Sequence, residues 1–251
     1  MILIAAYKSN AYGRFAYNLA LSIKDKANLP ICLVTDGKTD IDKSIFDQVI
    51  LIEIPVDPCF FKINLNKLTP YKKTLYIDAD MVCMNDISGL IERLEGKSVW
   101  VDTLRDNESF WLKPEAFTKP YQDTNTSLFY WEKGKESDDY FKRLNHYYKK
   151  FDKSNYKNLW GKFIPDESLH SLTLSELGVY FEHTSPIFYC DHSKPKQEIV
   201  KRLFLSMYGG RIAKRNSLDV YDEQMKAVYK RAGLEYKDRI DQLYRQKFIV
   251  L

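Results

Sequence analysis

The stretch Leu75-Tyr76-Ile77-Asp78-Ala79-Asp80-Met81-Val82 decides the fold. Its lead-in is wholly apolar and too short for a helix, so it reads as a buried strand of the kind found in parallel sheets covered on both faces. The strand, over residues 73–77, runs directly into two carboxylates. On an extended strand end, side chains at i and i+2 point to the same side. At the C-terminal edge of a parallel sheet they stand where ligands of open α/β folds bind. Two such charges repel each other unless a cation lies between them. Oxygen donors suit Mg²⁺ or Mn²⁺, and such an ion, held by few protein groups, also takes phosphate oxygens of a substrate. The pattern therefore predicts a divalent-metal site at Asp78 and Asp80, with a solvated acidic turn as the alternative.

Outward from this stretch, strands and helices alternate. Residues 1–5 read as a strand, 14–26 as an amphipathic helix, 29–35 as a second strand closed by Asp36-Gly37, 41–46 as a short helix and 48–54 as a third strand. Downstream, Asp86 caps a helix over 87–94, and 98–101 form a strand ending at Asp102. The alternation then weakens: 126–131 is strand-like, 136–151 and the segment from Pro165 to Leu177 are helical, and 179–182 is a short strand. The tail from Pro195 reads as helical and basic, broken at Gly209-Gly210. This order predicts an α/β protein whose mixed, mainly parallel, Rossmann-like sheet is flanked by helices. It divides into a catalytic domain over 1–195 and a helical extension over 196–251.

The 251 residues carry 38 Lys or Arg and 34 Asp or Glu, a net charge of +4, too small for a protein built around phosphate neutralisation. The surplus leans toward the C-terminal tail, where Lys201, Arg202, Arg211, Lys214 and Arg215 cluster. The 14% aromatic content reads as a bias toward Tyr rather than a surface of stacking rings. Cys32, Cys59, Cys83 and Cys190 lack C-x-x-C spacing and read as reduced thiols, neither a disulfide framework nor a zinc site. No run approaches the ~18 apolar residues of a membrane span. With no leader pattern in residues 1–8, the expected location is cytoplasmic.

The segment from Tyr71 to Ile87 resembles the central motif of GT-A fold nucleotide-sugar glycosyltransferases, nearest to the family 8 type of glycogenin and the lipopolysaccharide galactosyltransferases. In that family Asp-Ala-Asp follows a Leu-Tyr strand and precedes an Asp-Ile helix start. Further segments are similar in order: the first strand ending at Tyr7, Asn125 to Trp131, Pro165-Asp166-Glu167, and Asp191-His192-Ser193-Lys194-Pro195. Ser127 stands where the family has Gly, and Glu167 where it has Gln. His192 and Lys194 are compressed together, and the Gly and Trp of the family's terminal motif are missing.

The resemblance implies a GT-A fold and transfer of a hexose from a UDP-sugar with Mn²⁺ or Mg²⁺, favouring retention of configuration. The acceptor, whether glycan, lipid, protein or nucleic acid, is not specified. Asp78 and Asp80 would hold the ion, with His192 or His183 as third ligand, and Lys194 would neutralise the diphosphate. Asp102 would contact donor-sugar hydroxyls, or else serve as a strand-end residue held by local hydrogen bonds. Asn125 has groups suited to sugar hydroxyls and equally suited to fixing a turn. Asp166 and Glu167 open a helix, where the macrodipole alone favours carboxylates, and either is a candidate to bind the acceptor hydroxyl or act as base. Ala5, Ala6 and Tyr7 would frame the nucleotide base, with Asp36 as a further contact and Lys62 as a phosphate or ribose contact or a plain surface lysine.

Two rivals remain. A nucleotidyltransferase would want a glycine-rich phosphate loop near the N-terminus, and Gly13-Arg14 is a poor candidate. A nucleic-acid- or membrane-surface-binding module would use the basic tail, which Asp219, Asp222 and Glu223 dilute. The two ideas combine if the tail presents an anionic acceptor.

Overall fold

The structure is a computed structural model and describes residues 1–8, 10–53, 57–159, 163–182, 189–191, 203–206 and 230. A six-stranded sheet runs in the order β3-β2-β1-β4-β7-β6. Its strands are β1 (Ile2–Ala6), β2 (Ile31–Thr35), β3 (Gln48–Leu51), β4 (Lys73–Asp78), β6 (Val99–Asp106) and β7 (Gln122–Glu132). β1, β2, β3 and β4 are mutually parallel, whereas β7 runs antiparallel to both β4 and β6. The mixed, mainly parallel α/β arrangement expected from the alternation is the one observed.

The period of two sorts each strand between two cores. Ile2, Ile4 and Ala6 face one side with Ile31, Leu33, Leu75 and Ile77, covered by Phe15, Leu19 and Ile23 of α1 (Asn10–Lys26) and Leu90 and Leu94 of α4 (Ser88–Leu94). Leu3, Cys32, Val34, Tyr76, Phe129 and Trp131 face the other, under Tyr140, Phe141 and Leu144 of α5 (Lys135–Lys149) and Leu169 and Leu174 of α6 (Asp166–Leu177). Burial on both faces is why these strands read as unbroken apolar runs. The described thiols of Cys32, Cys59 and Cys83 are free and buried.

Several boundaries differ from expectation. Asp102 lies inside β6 rather than at its end, and β7 begins at Gln122, because buried Thr103, Thr124 and Thr126 carry the sheet onward through polar side chains. Residues 179–182 form no strand; the Phe181 backbone instead bonds to the Gln122 side-chain amide, N–H to Oε1 at 2.8 Å and C=O from Nε2 at 2.8 Å. Residues 41–46 shorten to a 3₁₀ turn at Lys43–Ile45. In the tail expected to be helical, Phe204–Ser206 forms β9, which joins β5 (Met81–Cys83) and β8 (Tyr189–Asp191) in a second sheet. Phe204 is drawn there because its ring is fully buried in the α1-side core. The basic cluster of the tail, Lys201, Arg202, Arg211, Lys214 and Arg215, lies outside the described residues.

Candidate active site

Residues gather where the C-terminal ends of β1, β2 and β4 meet the start of β7. β4 delivers Asp78 on the same face as Tyr76, whose hydroxyl donates to Asp78 Oδ1 at 2.7 Å. The strand ends there, and Ala79 and Asp80 lie in a turn, so the extended alternation that would align the two carboxylates stops at Asp78. Burial, and after it the charge of Asp80, hold the phenol of Tyr12 above its ordinary pKa.

Opposite Asp78 stands Lys62, the last residue of α2 (Pro58–Lys62), which the short α3 (Leu65–Leu68) follows. The one-turn α2 would not hold by itself. It is capped by Asp57, which accepts from Cys59 N–H at 2.8 Å and from Tyr148 Oη–H of α5 at 2.6 Å. Phe61 packs edge-on against Tyr7, ring centroids 4.8 Å apart. So pinned, α2 aims Lys62 Nζ at Asp78, 3.1 Å from Oδ1 and 3.2 Å from Oδ2. The same ammonium lies 3.1 Å from Asp166 Oδ2 and 3.1 Å from Thr126 Oγ, and 5.3 Å from the centre of the Tyr76 ring. Thr126 in turn donates to Asp166 Oδ2 at 2.5 Å. With side chains of Lys62 and Asp166 only 13% and 9% exposed, the ion pairs are shielded from water and screened little by salt.

Charge and burial then set the titration. Burial alone would lower the Lys62 ammonium, but Asp166 and Asp78 overcome it and hold the lysine charged. Burial would raise Asp166, and Lys62 with the Thr126 hydroxyl pulls its carboxyl below the ordinary range. Its neighbour Glu167 goes the opposite way, pushed up to about 8 by burial and by the Asp166 charge. The helix thus starts with one ionised and one protonated carboxyl, a division of the sort that separates base from acid in active sites. One turn on, His170 is fully buried with Nδ1 2.8 Å from Tyr140 Oη, and burial lowers it to about 3, so it is neutral.

The other expected residues fall as follows. Ala5 and Ala6 are buried at the end of β1, and Tyr7 is partly exposed beside Phe61. Asp36 accepts from the backbone N–H groups of Lys8, Lys38 and Thr39 at 3.0, 3.1 and 2.6 Å, tying the loop after β1 to the loop after β2. Asp102 and Asn125 are register partners at an irregularity between β6 and β7, and Asn125 Oδ1 accepts from Ser127 N–H at 3.0 Å. Both Asn125 and Asp36 therefore do local structural work. His183, His192 and Lys194 lie outside the described residues. Tyr12, Tyr76 and Thr126 are the members that sequence reasoning missed. A threonine inside a polar strand and a tyrosine on an apolar strand carry no chemical signature of their own.

Asp78 and Asp80 offer the hard oxygen donors that suit Mg²⁺ or Mn²⁺. Among the described residues no group of three His, Cys, Asp or Glu converges to hold a metal. Asp78 is instead engaged by the Lys62 ammonium and the Tyr76 hydroxyl.

The sheet order is that of a GT-A fold, and solved glycosyltransferase structures superpose on it. The chain is similar to the galactosyltransferase LgtC, solved with donor and acceptor sugar analogues, with a TM-score of 0.56 and 11% identity over 95% of this chain and 98% of that one. It is similar also to the bifunctional glycosyltransferase WbbM, at 0.57 and 14% over 96% of this chain, and spans about half (51%) of that protein's length. The glycosyltransferase GlyE of Streptococcus pneumoniae TIGR4 matches at 0.53 and 13%, over 91% of this chain and 63% of its own. No protein-family profile and no curated protein matches the chain. Among the described residues no helix is long and apolar enough to cross a membrane.

Proposed function

We propose that this protein is a glycosyltransferase of the family 8 type that transfers a hexose from a UDP-sugar with retention, using Mn²⁺ or Mg²⁺ held by Asp78 and Asp80. The observation that carries the reading is the shielded cluster of Lys62, Asp78, Thr126 and Asp166 at the ligand-binding edge of a sheet shared with glycosyltransferases. When bound, the ion would supply Lewis-acid stabilisation of the charge growing on the departing nucleoside diphosphate.

The chain's own residues would do the rest. Tyr7 and Tyr12 wall the nucleotide side, with Ala5 and Ala6 leaving room between them and the loop fixed by Asp36. Lys62 presents a permanent positive charge. Asp166, kept ionised, faces the reacting sugar or accepts the acceptor's proton, while Glu167, kept protonated near neutrality, donates a hydrogen bond as the amide of a Gln would there. Asn125, whose Oδ1 is held by Ser127 N–H, offers its amide NH₂ to a donor-sugar hydroxyl, whereas Asp102 is fully buried in β6 and does not reach one. His192 and Lys194 complete the metal and diphosphate contacts. The acceptor is a glycan, lipid, protein or nucleic acid reached from the same edge, with residues 196–251 a candidate to present an anionic one.

The test is release of UDP from a panel of UDP-sugars with Mn²⁺, comparing the native chain with Asp78→Asn. Turnover that falls at least about a hundredfold in a variant retaining its native melting profile supports the reading. Donor hydrolysis unchanged in Asp78→Asn would refute it.

A further inference from the structure

We propose that the edge of the sheet that carries Asp78 docks on an anionic lipid surface, through exposed phenylalanines and lysines of the β6–β7 connection and of the chain leaving α5. Docking there goes beyond the glycosyltransferase reading and needs neither its metal nor its donor.

The topology brings two distant segments to that edge. β7 is antiparallel to both β4 and β6, so β6 runs parallel to β4 and its chain leaves, at Asp106, beside the carboxylate end of β4. β7 then carries the chain to the far edge and α5 brings it back, which is how Tyr148 reaches Asp57, the cap of α2. Here residues 109–113 and 155–158 fasten to each other. Leu112 and Tyr156 form an antiparallel bridge, and the Lys113 and Lys157 N–H groups donate to the Asn155 and Trp111 carbonyls at 2.9 and 2.8 Å. The Asn158 side-chain amide donates to the Phe110 carbonyl at 2.6 Å, and the Ser109 hydroxyl accepts from Trp111 and Leu112 N–H at 3.2 and 3.1 Å. A surface tied down in this way loses little further freedom when it docks.

On it, apolar groups face water. Phe110 is 55% exposed and Phe151 38%, each resting on a second ring, Trp111 at 4.8 Å and Tyr156 at 5.0 Å between centroids. Lys113, Lys149, Lys150 and Lys153 are exposed beside them, and among the described residues none of the four is in an ion pair. The neighbouring carboxylates are largely engaged. Asp152 accepts from Ser154 N–H at 2.9 Å, and Glu108 pairs with Arg105 at 3.3 Å, which leaves Glu115. The patch therefore combines bare phenyl rings, which gain by leaving water, with a surplus of positive charge that asks for an anionic partner. A lipid interface supplies both within one side chain's length: the rings enter the acyl boundary, and the lysine stems reach back to the phosphates. Attachment would hold the edge bearing Lys62, Asp78 and Asp166 next to the bilayer surface.

Co-sedimentation of the full chain with vesicles tests this, using phosphatidylcholine alone and phosphatidylcholine mixed equally with phosphatidylglycerol. The native chain should pellet with the mixed vesicles, little with phosphatidylcholine, and less as salt rises. A lysine near an anionic surface adds about fivefold in affinity, so Lys149→Gln/Lys150→Gln/Lys153→Gln should bind about a hundredfold more weakly. Phe110→Ser/Phe151→Ser should bind about tenfold more weakly and keep the native salt dependence. All five positions are exposed, so the variants should melt as the native chain does. No pelleting of the native chain with mixed vesicles would overturn the proposal, as would retention of a single-stranded oligonucleotide in place of vesicles. So would native binding by both variants with loss in Arg211→Gln/Lys214→Gln/Arg215→Gln, which would move attachment to the tail. UDP release in the absence of vesicles is measured beside these. Vesicle binding lost with UDP release intact removes the docking surface alone, and the converse removes the glycosyltransferase reading alone.

Discussion

Thr126→Val keeps a β-branched shape and removes one atom, the hydroxyl that donates to Asp166 Oδ2 at 2.5 Å and accepts from Lys62 Nζ at 3.1 Å. Asp166 is then left with Lys62 as its side-chain partner, and Lys62 keeps two of its three. Hydrogen bonds to charged groups contribute about 1.5–3 kcal/mol each, so losing this shared hydroxyl should destabilise the fold by about 3 kcal/mol at pH 7. For a chain of this size that lowers Tm by roughly 6–12 °C. Thr126→Ser retains the hydroxyl and gives up a buried methyl, costing about 1 kcal/mol. The sign of the pH dependence follows from Asp166, whose folded pKa is depressed. Its contribution is present above the unfolded value of about 3.9 and is lost as pH falls through the lower folded value, so the valine defect should shrink below about pH 4. Thermal unfolding of the three proteins at pH 7 and pH 3, followed by tryptophan fluorescence, reads all of this. Equal losses for Val and Ser, or a valine defect that does not change with pH, would show that the hydroxyl is not what holds the pair.

Glu167→Gln removes a group that stays protonated up to about 8 in the folded chain, against 4.5 ordinarily. Since the folded state then holds the extra proton, native stability should fall as pH rises across that window, by at most about 1.4 kcal/mol per unit. The Gln variant should escape the decline, and parallel urea midpoints for the two proteins between pH 5 and pH 8 would contradict this. Gly13→Ala should destabilise despite alanine's higher helix propensity, because the new Cβ would lie 2.3 Å from the Asp40 carbonyl oxygen. We expect a loss of about 2 kcal/mol by denaturant titration, and a gain would mean the loop yields freely.

The legible parts of the fold were those whose chemistry repeats along the chain. β1, β2 and β4 are buried on both faces, so their apolar runs announced them, and Asp78 stood out as a charge ending such a run. β6 and β7 were blurred for the opposite reason. Their site-proximal halves bury Asp102, Thr103, Asp123, Thr124 and Thr126, whose burial is tolerated through long-range bonds such as Thr124 to the Glu167 carbonyl at 2.7 Å. Lys62 could be named as a candidate from its place before β4, but its partners come from β4, β7 and α6, and no local pattern encodes that meeting. The i, i+2 argument presupposed that both carboxylates lie on the strand, whereas the strand ends at Asp78 and Asp80 lies in the turn beyond it.

The position of β4 between β1 and β7 carries a dynamic consequence. Ala5 is in register with Asp78, and Leu128 with Ile77, so the carboxylate at the site is fastened to the middle of the sheet rather than to its rim. A ligand gripping Asp78 and Asp166 together would clamp that central strand to α6, and every opening that parts them would have to release it. Saturating ligand should accordingly slow amide hydrogen exchange deep in β1 and β4 by the full factor 1 + [L]/Kd. Exchange in β3, at the far edge of the sheet, would be slowed only so far as its opening belongs to the same unit. The most protected amides of the protein would then double as a binding assay, legible by mass spectrometry before any acceptor is known.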